Sequence, residues 1–187
     1  SPTCAPLWIG QTDGTVHNAP AVADGVVYAG AGDGKLYAFA AGGCDAETCP
    51  PLWTGNAGTY VDSSPAVAGG RVFVGSGEAE MKVFDAAGCG QPSCEPLWVG
   101  FMPGPQATIE SSPMVANGVV YVGENNGRVA AFDVNGCGQY VCEPRWEFTT
   151  QVPVVNSSPV MVNATLYLTG TNFGSTPILY VFDLTIH

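Results

Sequence analysis

The stretch 63–98, SSPAVAGGRVFVGSGEAEMKVFDAAGCGQPSCEPLW, decides the fold. Ser64-Pro65-Ala66-Val67 opens a first short apolar run. Gly69-Gly70 then supplies the positive φ angles of a tight hairpin. A second run, 71–75, alternates apolar residues across two faces. A Gly-containing turn leads to a third run, 80–84, and the last run carries Trp98. Alternation at a period of two reads as strand. No segment shows a sustained 3.6-residue apolar pattern, so almost no helix is expected.

The same pattern recurs along the chain. The segments HNAPAVADGVVYAG (17–30), ESSPMVANGVVYVG (110–123) and NSSPVMVNATLYLT (156–169) align with 62–75 without gaps. GKLYAFA, GRVAAFDV and PILYVFDL follow them, in the place of EMKVFDA. Asp24-Gly25 and Asn117-Gly118 repeat the first turn, and Asp33-Gly34 and Asn126-Gly127 mark the second. Trp8, Trp53, Trp98 and Trp146 are spaced by 45, 45 and 48 residues. A period of 40–50 residues marks propeller blades or solenoid turns. Four-stranded antiparallel meanders this short fit blades and fit a solenoid poorly.

The sequence therefore predicts an all-β fold, a β-propeller of four four-stranded antiparallel blades filling residues 1–187. We label the strands of a blade a to d from the axis outward. The blade repeats run approximately over 13–57, 58–102, 103–150, and 151–187 together with 4–12. The chain opens on a d strand at Leu7-Trp8 and closes on a c strand at Tyr180–Phe182, so the first d strand is placed to latch the last blade and remove open sheet edges. Two arrangements satisfy this reading: a closed four-blade ring, or half of an eight-blade ring completed by a second copy or by further sequence.

Six of the seven cysteines form pairs at one spacing, Cys44/Cys49, Cys89/Cys94 and Cys137/Cys142, each just before a tryptophan. Regular pairs without neighbouring histidines point to disulfides and an oxidising compartment; the alternatives are reduced thiols or a zinc site. CAPLW (4–8) copies the end of CPPLW, CEPLW and CEPRW, so Cys4 is left unpaired, its expected partner falling before Ser1. The net charge of −11 repels phosphate backbones and anionic membrane surfaces, which excludes nucleic acid as the expected partner. No apolar run approaches the roughly 20 residues of a membrane span. No basic-then-apolar leader opens the chain, so a signal peptide is expected to be already removed or not included.

These residues resemble the repeats of pyrroloquinoline-quinone (PQQ) dehydrogenases and their non-enzymatic relatives, which include an outer-membrane assembly lipoprotein and many secreted propellers. The shared unit is Ser-Pro-x-Val, Val-Tyr-x-Gly, Gly-x-Leu-Tyr-Ala-Phe, Asp, a Gly turn and Trp. The resemblance covers nearly the whole chain. It implies that Trp8, Trp53, Trp98 and Trp146 pack structurally on the neighbouring blade. Gly-Cys-x4-Cys replaces the family's short turn before Trp, as if a disulfide pinched a longer c–d turn at its base. The dehydrogenases use about eight blades and a calcium-bound quinone, with a vicinal disulfide in several members. This chain has no adjacent Cys-Cys and half the length, so the resemblance implies a scaffold and not an enzyme.

A search for catalytic motifs agrees. A Ser-His-Asp triad has only His17 to draw on besides the terminal His187, and there is no Gly-x-Ser-x-Gly, His-Glu-x-x-His or Gly-Lys-Ser/Thr motif. Three basic residues, Lys35, Lys82 and Arg128, lie on or before c strands and form no patch. One polar column is the candidate for the central face: His17, Asp62, Glu110 and Asn156, each two residues before a Ser/Ala-Pro step. Propeller geometry gathers such crossings near the axis. Asp62 and Glu110 would repel there unless a proton or a cation lies between them, and oxygen ligands suit Ca²⁺. The competing reading makes these residues local turn caps. Asp85, Asp133 and Asp183 read as turn residues that bind backbone amides. Asn156-Ser-Ser and Asn163-Ala-Thr fit the glycosylation pattern of a eukaryotic secretory pathway.

The functional expectation is a non-catalytic secreted, periplasmic or cell-surface module. It would bind a protein, glycan or small ligand, or pair with itself as a dimer completing an eight-blade ring. No cofactor is expected; an axial Ca²⁺ held by Asp62 and Glu110 is the one candidate. The alternatives are a fragment of a PQQ-dependent oxidoreductase and a purely structural cell-surface array.

Overall fold

The computed structural model describes residues 4–102, 104, 107–150, 157–170 and 178–185. The described residues contain strands and turns and no helix. The first strands are β1 (Ile9–Gly10), β2 (Ala21–Ala23), β3 (Val26–Gly30), β4 (Lys35–Ala40), β5 (Thr48–Cys49) and β6 (Trp53–Asn56). The next repeat gives β7 (Ala66–Ala68), β8 (Arg71–Gly75), β9 (Glu80–Asp85), β10 (Ser93–Cys94) and β11 (Trp98–Phe101). The third gives β12 (Met114–Ala116), β13 (Val119–Gly123), β14 (Arg128–Asp133), β15 (Val141–Cys142) and β16 (Trp146–Thr149). The fourth gives β17 (Val160–Val162), β18 (Thr165–Gly170) and β19 (Ile178–Asp183).

Strands a to d of each of the first three repeats form the expected antiparallel meander, β2-β3-β4-β6, β7-β8-β9-β11 and β12-β13-β14-β16. The a–b hairpins turn on two consecutive positive-φ residues, as at Asn117 (φ 52°) and Gly118 (φ 78°). That geometry matches the twist of the flanking strands.

The cysteine turns do more than the sequence predicts. The second cysteine of each turn, with the residue before it, forms a fifth strand that pairs in parallel with the d strand of the preceding blade. β10 lies along β6 (Ser93↔Thr54, Cys94↔Gly55) and β15 along β11 (Val141↔Val99, Cys142↔Gly100). β5 lies along β1 in the same way (Thr48↔Ile9, Cys49↔Gly10). All three disulfides are made, with Cα–Cα separations of 5.6, 5.7 and 5.6 Å. Each one holds a two-residue strand in the extended form that covers its neighbour's outer edge.

The core lies between blades. One cluster joins Tyr28, Leu36 and Trp53 to Val72, Val74, Phe84 and Cys94; the next joins Phe73, Met81 and Trp98 to Val120, Val122, Phe132 and Cys142. Trp53 sits between Tyr28 and Phe84 (centroids 6.1 and 6.2 Å), and Trp98 between Phe73 and Phe132 (6.5 and 6.3 Å). The glycine before the first cysteine of the following blade closes over each indole. At Gly136, φ is +76° and a Cβ would meet the Trp98 ring at 3.0 Å, so the Gly-Cys pair satisfies a backbone and a packing need together.

The inner strands are joined by a belt of serines. Ser63 and Ser111, the first serines of their Ser-Ser-Pro motifs, are buried and clamp the end of their own b strand. Ser111 Oγ accepts from Gly123 N–H (2.8 Å) and donates to Gly123 C=O (2.9 Å), and Ser63 does the same at Gly75. The second serine accepts across blades: Ala19 N–H donates to Ser64 Oγ (3.0 Å), Ser64 N–H to Ser112 Oγ (3.0 Å), and Ser112 N–H to Ser158 Oγ (3.2 Å). Replacing Ser111 by Ala leaves both Gly123 groups without that partner in a buried site. We expect a loss of about 1–3 kcal/mol, read as a lower urea midpoint at unchanged slope. An unshifted midpoint would mean that other groups satisfy Gly123.

The latch expected of the first d strand is not made among the described residues. β1 pairs with β5, and the sheet β17-β18-β19 ends at β19. The fourth junction also packs differently. Gly10, Gly55 and Gly100 leave room for Phe39, Phe84 and Phe132, but Phe148 fills the matching place and meets Phe182 edge to face at 5.0 Å. Trp146 stays half-buried there, whereas Trp53 and Trp98 are 4% exposed.

Candidate functional site

The residues that begin the a strands converge on a recess of ≈ 440 Å³ lined by His17, Asn18, Ala19, Asp62, Ser64, Glu110, Ser112 and Ser158. The repeat places them there: each stands at or just before a Ser/Ala-Pro step, and the serine belt draws successive a strands together. Three of the four residues singled out in the polar column, His17, Asp62 and Glu110, share this recess. The fourth, Asn156, lies outside the described residues.

These side chains meet loosely. His17 Nδ1 lies 3.6 Å from Asp62 Oδ1; the histidine is exposed and the aspartate half-buried. Glu110 accepts a local hydrogen bond from Thr108 Oγ1 at 2.9 Å. Among the described residues no group of three or more His, Cys, Asp or Glu side chains is placed to hold a metal ion. The recess offers carboxylate acceptors, an imidazole and serine hydroxyls. Those of Ser64, Ser112 and Ser158 already accept from the framework's own amides.

The aspartate column after the c strands binds backbone amides. Asp85 accepts from Ala87 N–H (2.9 Å), Asp133 from Asn135 N–H (2.9 Å), and Asp183 from Thr185 N–H (3.0 Å).

A family model described as outer membrane protein assembly factor BamB matches residues 42–178. The chain belongs to this PQQ-like repeat family. Its fold is that of BamB from Moraxella catarrhalis: the crystal structure superposes with a TM-score of 0.67 at 19% identity, covering 93% of this chain and 48% of that one. The chain thus spans about half the length of that BamB. The computationally designed Ika4 protein superposes with a TM-score of 0.66 at 16% identity, covering 94% of this chain and 98% of the design. The quinohemoprotein alcohol dehydrogenase from Comamonas testosteroni gives a TM-score of 0.66 at 17% identity, covering 85% and 29%. No curated protein sequence matches the chain. The PQQ-like family assignment and the strand pattern together make this a β-propeller, a fold suited to binding and scaffolding. Its three disulfides point to an oxidising environment outside the cytosol.

One PQQ-like repeat position departs from its copies in a way that the strand pattern hides. Glu124 occupies the b–c turn where the earlier repeats have Ala31 and Ser76. It is fully buried, and neither carboxylate oxygen has a hydrogen-bond partner among the described residues. Burial pushes its carboxyl up to about 7; the Asn126 amide and the Arg128 guanidinium pull it down, and Glu147 pushes it up. The signal that could have found it is the alignment of the repeats, which sets a carboxylate against two small residues.

Proposed function

We propose that this chain is a non-catalytic scaffold: half of an eight-blade propeller that closes its ring with a second copy and presents a protein-binding surface outside the cytosol. The observation that supports the reading is the superposition on BamB, in which 93% of this chain covers 48% of that one. The recess supports a scaffold rather than an active site, because its serine hydroxyls accept bonds that hold blade to blade.

The reading is tested by mass in solution at micromolar concentration. We expect light scattering to give twice the chain mass of 19.2 kDa. A species at the single-chain mass overturns it in favour of a ring closed within one chain. The competing reading, a fragment of a quinone-dependent oxidoreductase, draws on the shared fold. It predicts dye reduction after reconstitution with PQQ and calcium, where the scaffold reading predicts none.

A further inference from the structure

We infer that the groove between the first two blades docks an arginine-bearing segment of a partner protein. The inference rests on the reading of the chain as a protein-binding scaffold, and names the surface and the chemistry of what it holds.

The groove has a volume of ≈ 440 Å³ and lies at the end of the blades that carries the a–b and c–d turns. Val26, Leu52 and Trp53 of the first blade line it together with Ala86, Ala87 and Pro92 of the second. Leu52 is 54% exposed, although its neighbour Trp53 is buried. No basic side chain lines the groove among the described residues, and two carboxylates border it. Asp24 sits in the exposed a–b turn, two residues before Val26. Asp85 accepts from Ala87 N–H at 2.9 Å. Both act on the Tyr28 hydroxyl, which donates to Ala86 C=O at 2.8 Å. Burial pushes that hydroxyl up, and the charges of Asp24 and Asp85 push it further.

The two later junctions carry the missing group. Between the second and third blades Arg71 stands where the first repeat has Val26. It shares a face of β8 with Phe73, which meets Trp98, and its Nε is buried. Between the third and fourth blades Arg145 stands where the first repeat has Leu52. It lines the corresponding groove beside Val119, Tyr121 and Trp146. Burial pushes the Tyr121 hydroxyl up, and the Arg145 guanidinium pulls it down. Tyr121 is the counterpart of Tyr28, so a guanidinium acts at one junction where two carboxylates act at the other. The first junction keeps the apolar walls and the carboxylates and lacks a cation of its own.

The charge of the whole chain agrees. It has 16 acidic residues against 5 basic ones. Lys35, Lys82, Arg128 and Arg145 are each paired with a carboxylate, and Arg71 donates to Gly69 C=O at 3.4 Å. No basic residue of the chain is left for Asp24 and Asp85, so their counter-charge comes from outside. Arginine suits the groove because its weakly hydrated head and apolar stem lie well along Leu52 and Pro92 while the charge meets the carboxylates.

The test is an NMR titration of the intact chain, isotope-labelled at its Val and Leu methyls. The probe is a capped glycine pentapeptide with one central arginine. Saturable shifts are expected at the Val26 and Leu52 methyls. Citrulline in place of the arginine keeps the shape and removes the charge, and should weaken binding about fivefold or more. The double variant Asp24→Asn, Asp85→Asn should lose about as much, with its turns intact, since Asn117 already fills the place of Asp24 in the third repeat. Val26→Arg installs the arginine that the second blade carries and should abolish the shifts at Leu52. Equal binding of the arginine and citrulline peptides overturns the inference, as do shifts elsewhere on the acidic surface that survive Val26→Arg. The groove lies within one chain, so the two readings fail separately. A single-chain mass overturns the paired half-ring and leaves the docking site; a silent titration overturns the docking site and leaves the scaffold.

Discussion

Truncating Trp98 to alanine is expected to cost about 3–5 kcal/mol of folding stability, enough to unfold an ordinary domain of marginal stability. The indole is 4% exposed and lies between rings of two different blades, Phe73 and Phe132. Its removal opens a cavity at an interface whose backbone is held by strands on both sides, so collapse is limited. The indole N–H has no acceptor among the described residues. Trp98→Phe therefore loses volume but no hydrogen bond and should retain more than half of the difference. Trp146→Ala, at the half-buried fourth junction, should cost clearly less than Trp98→Ala. Guanidinium melts of the three variants check the order. Equal losses at Trp98 and Trp146 would show that the fourth junction is as tightly covered as the others.

The second large effect concerns Glu124 and its sign is fixed by burial. The folded carboxyl is pushed up to about 7 from 4.5, so between those values the folded protein holds a proton that the unfolded chain has released. Stability from this group is complete below pH 4.5 and is lost as pH rises through 7. The full span is about 3 kcal/mol, at 1.36 kcal/mol per pH unit. Glu124→Gln imitates the protonated form and cannot titrate. Its stability relative to the parent should therefore shift by about 3 kcal/mol in its own favour from pH 4.5 to pH 8. Urea denaturation of both proteins across that range measures the shift. Parallel curves would show that Glu124 finds a partner when ionised.

Much of this architecture is readable from residue order. The a–b turns are legible because Asp24-Gly25, Gly69-Gly70 and Asn117-Gly118 have few other uses between two alternating apolar runs. The gathering of His17, Asp62 and Glu110 follows from their matching place in each repeat. The fifth strand is not legible. Two residues such as Ser93-Cys94 cannot display an alternation, and their partners, Thr54 and Gly55, belong to the previous repeat. In sequence the turn reads as a local loop pinched by its disulfide, whereas its second half serves a neighbour. Ser-Ser-Pro reads as a strand opening, yet the two serines act in opposite directions, one inward to its own Gly and one across to the next blade. That division depends on spatial order, which periodicity does not carry. Glu124 escapes notice because a single acidic residue in a polar turn looks like solvent-facing surface until its depth is known.

Because Ser93-Cys94 completes the sheet begun at Ala21, the unit that repeats in the gene and the unit that is whole in space are out of phase. As the polypeptide emerges from its N-terminal end, each module stays unfinished until the next has been threaded through far enough to lend its cysteine. Maturation is thereby made sequential, and any swap of modules between relatives has to cut inside the disulfide-bearing turn and not at the Ser-Ser-Pro boundary that an alignment would recommend.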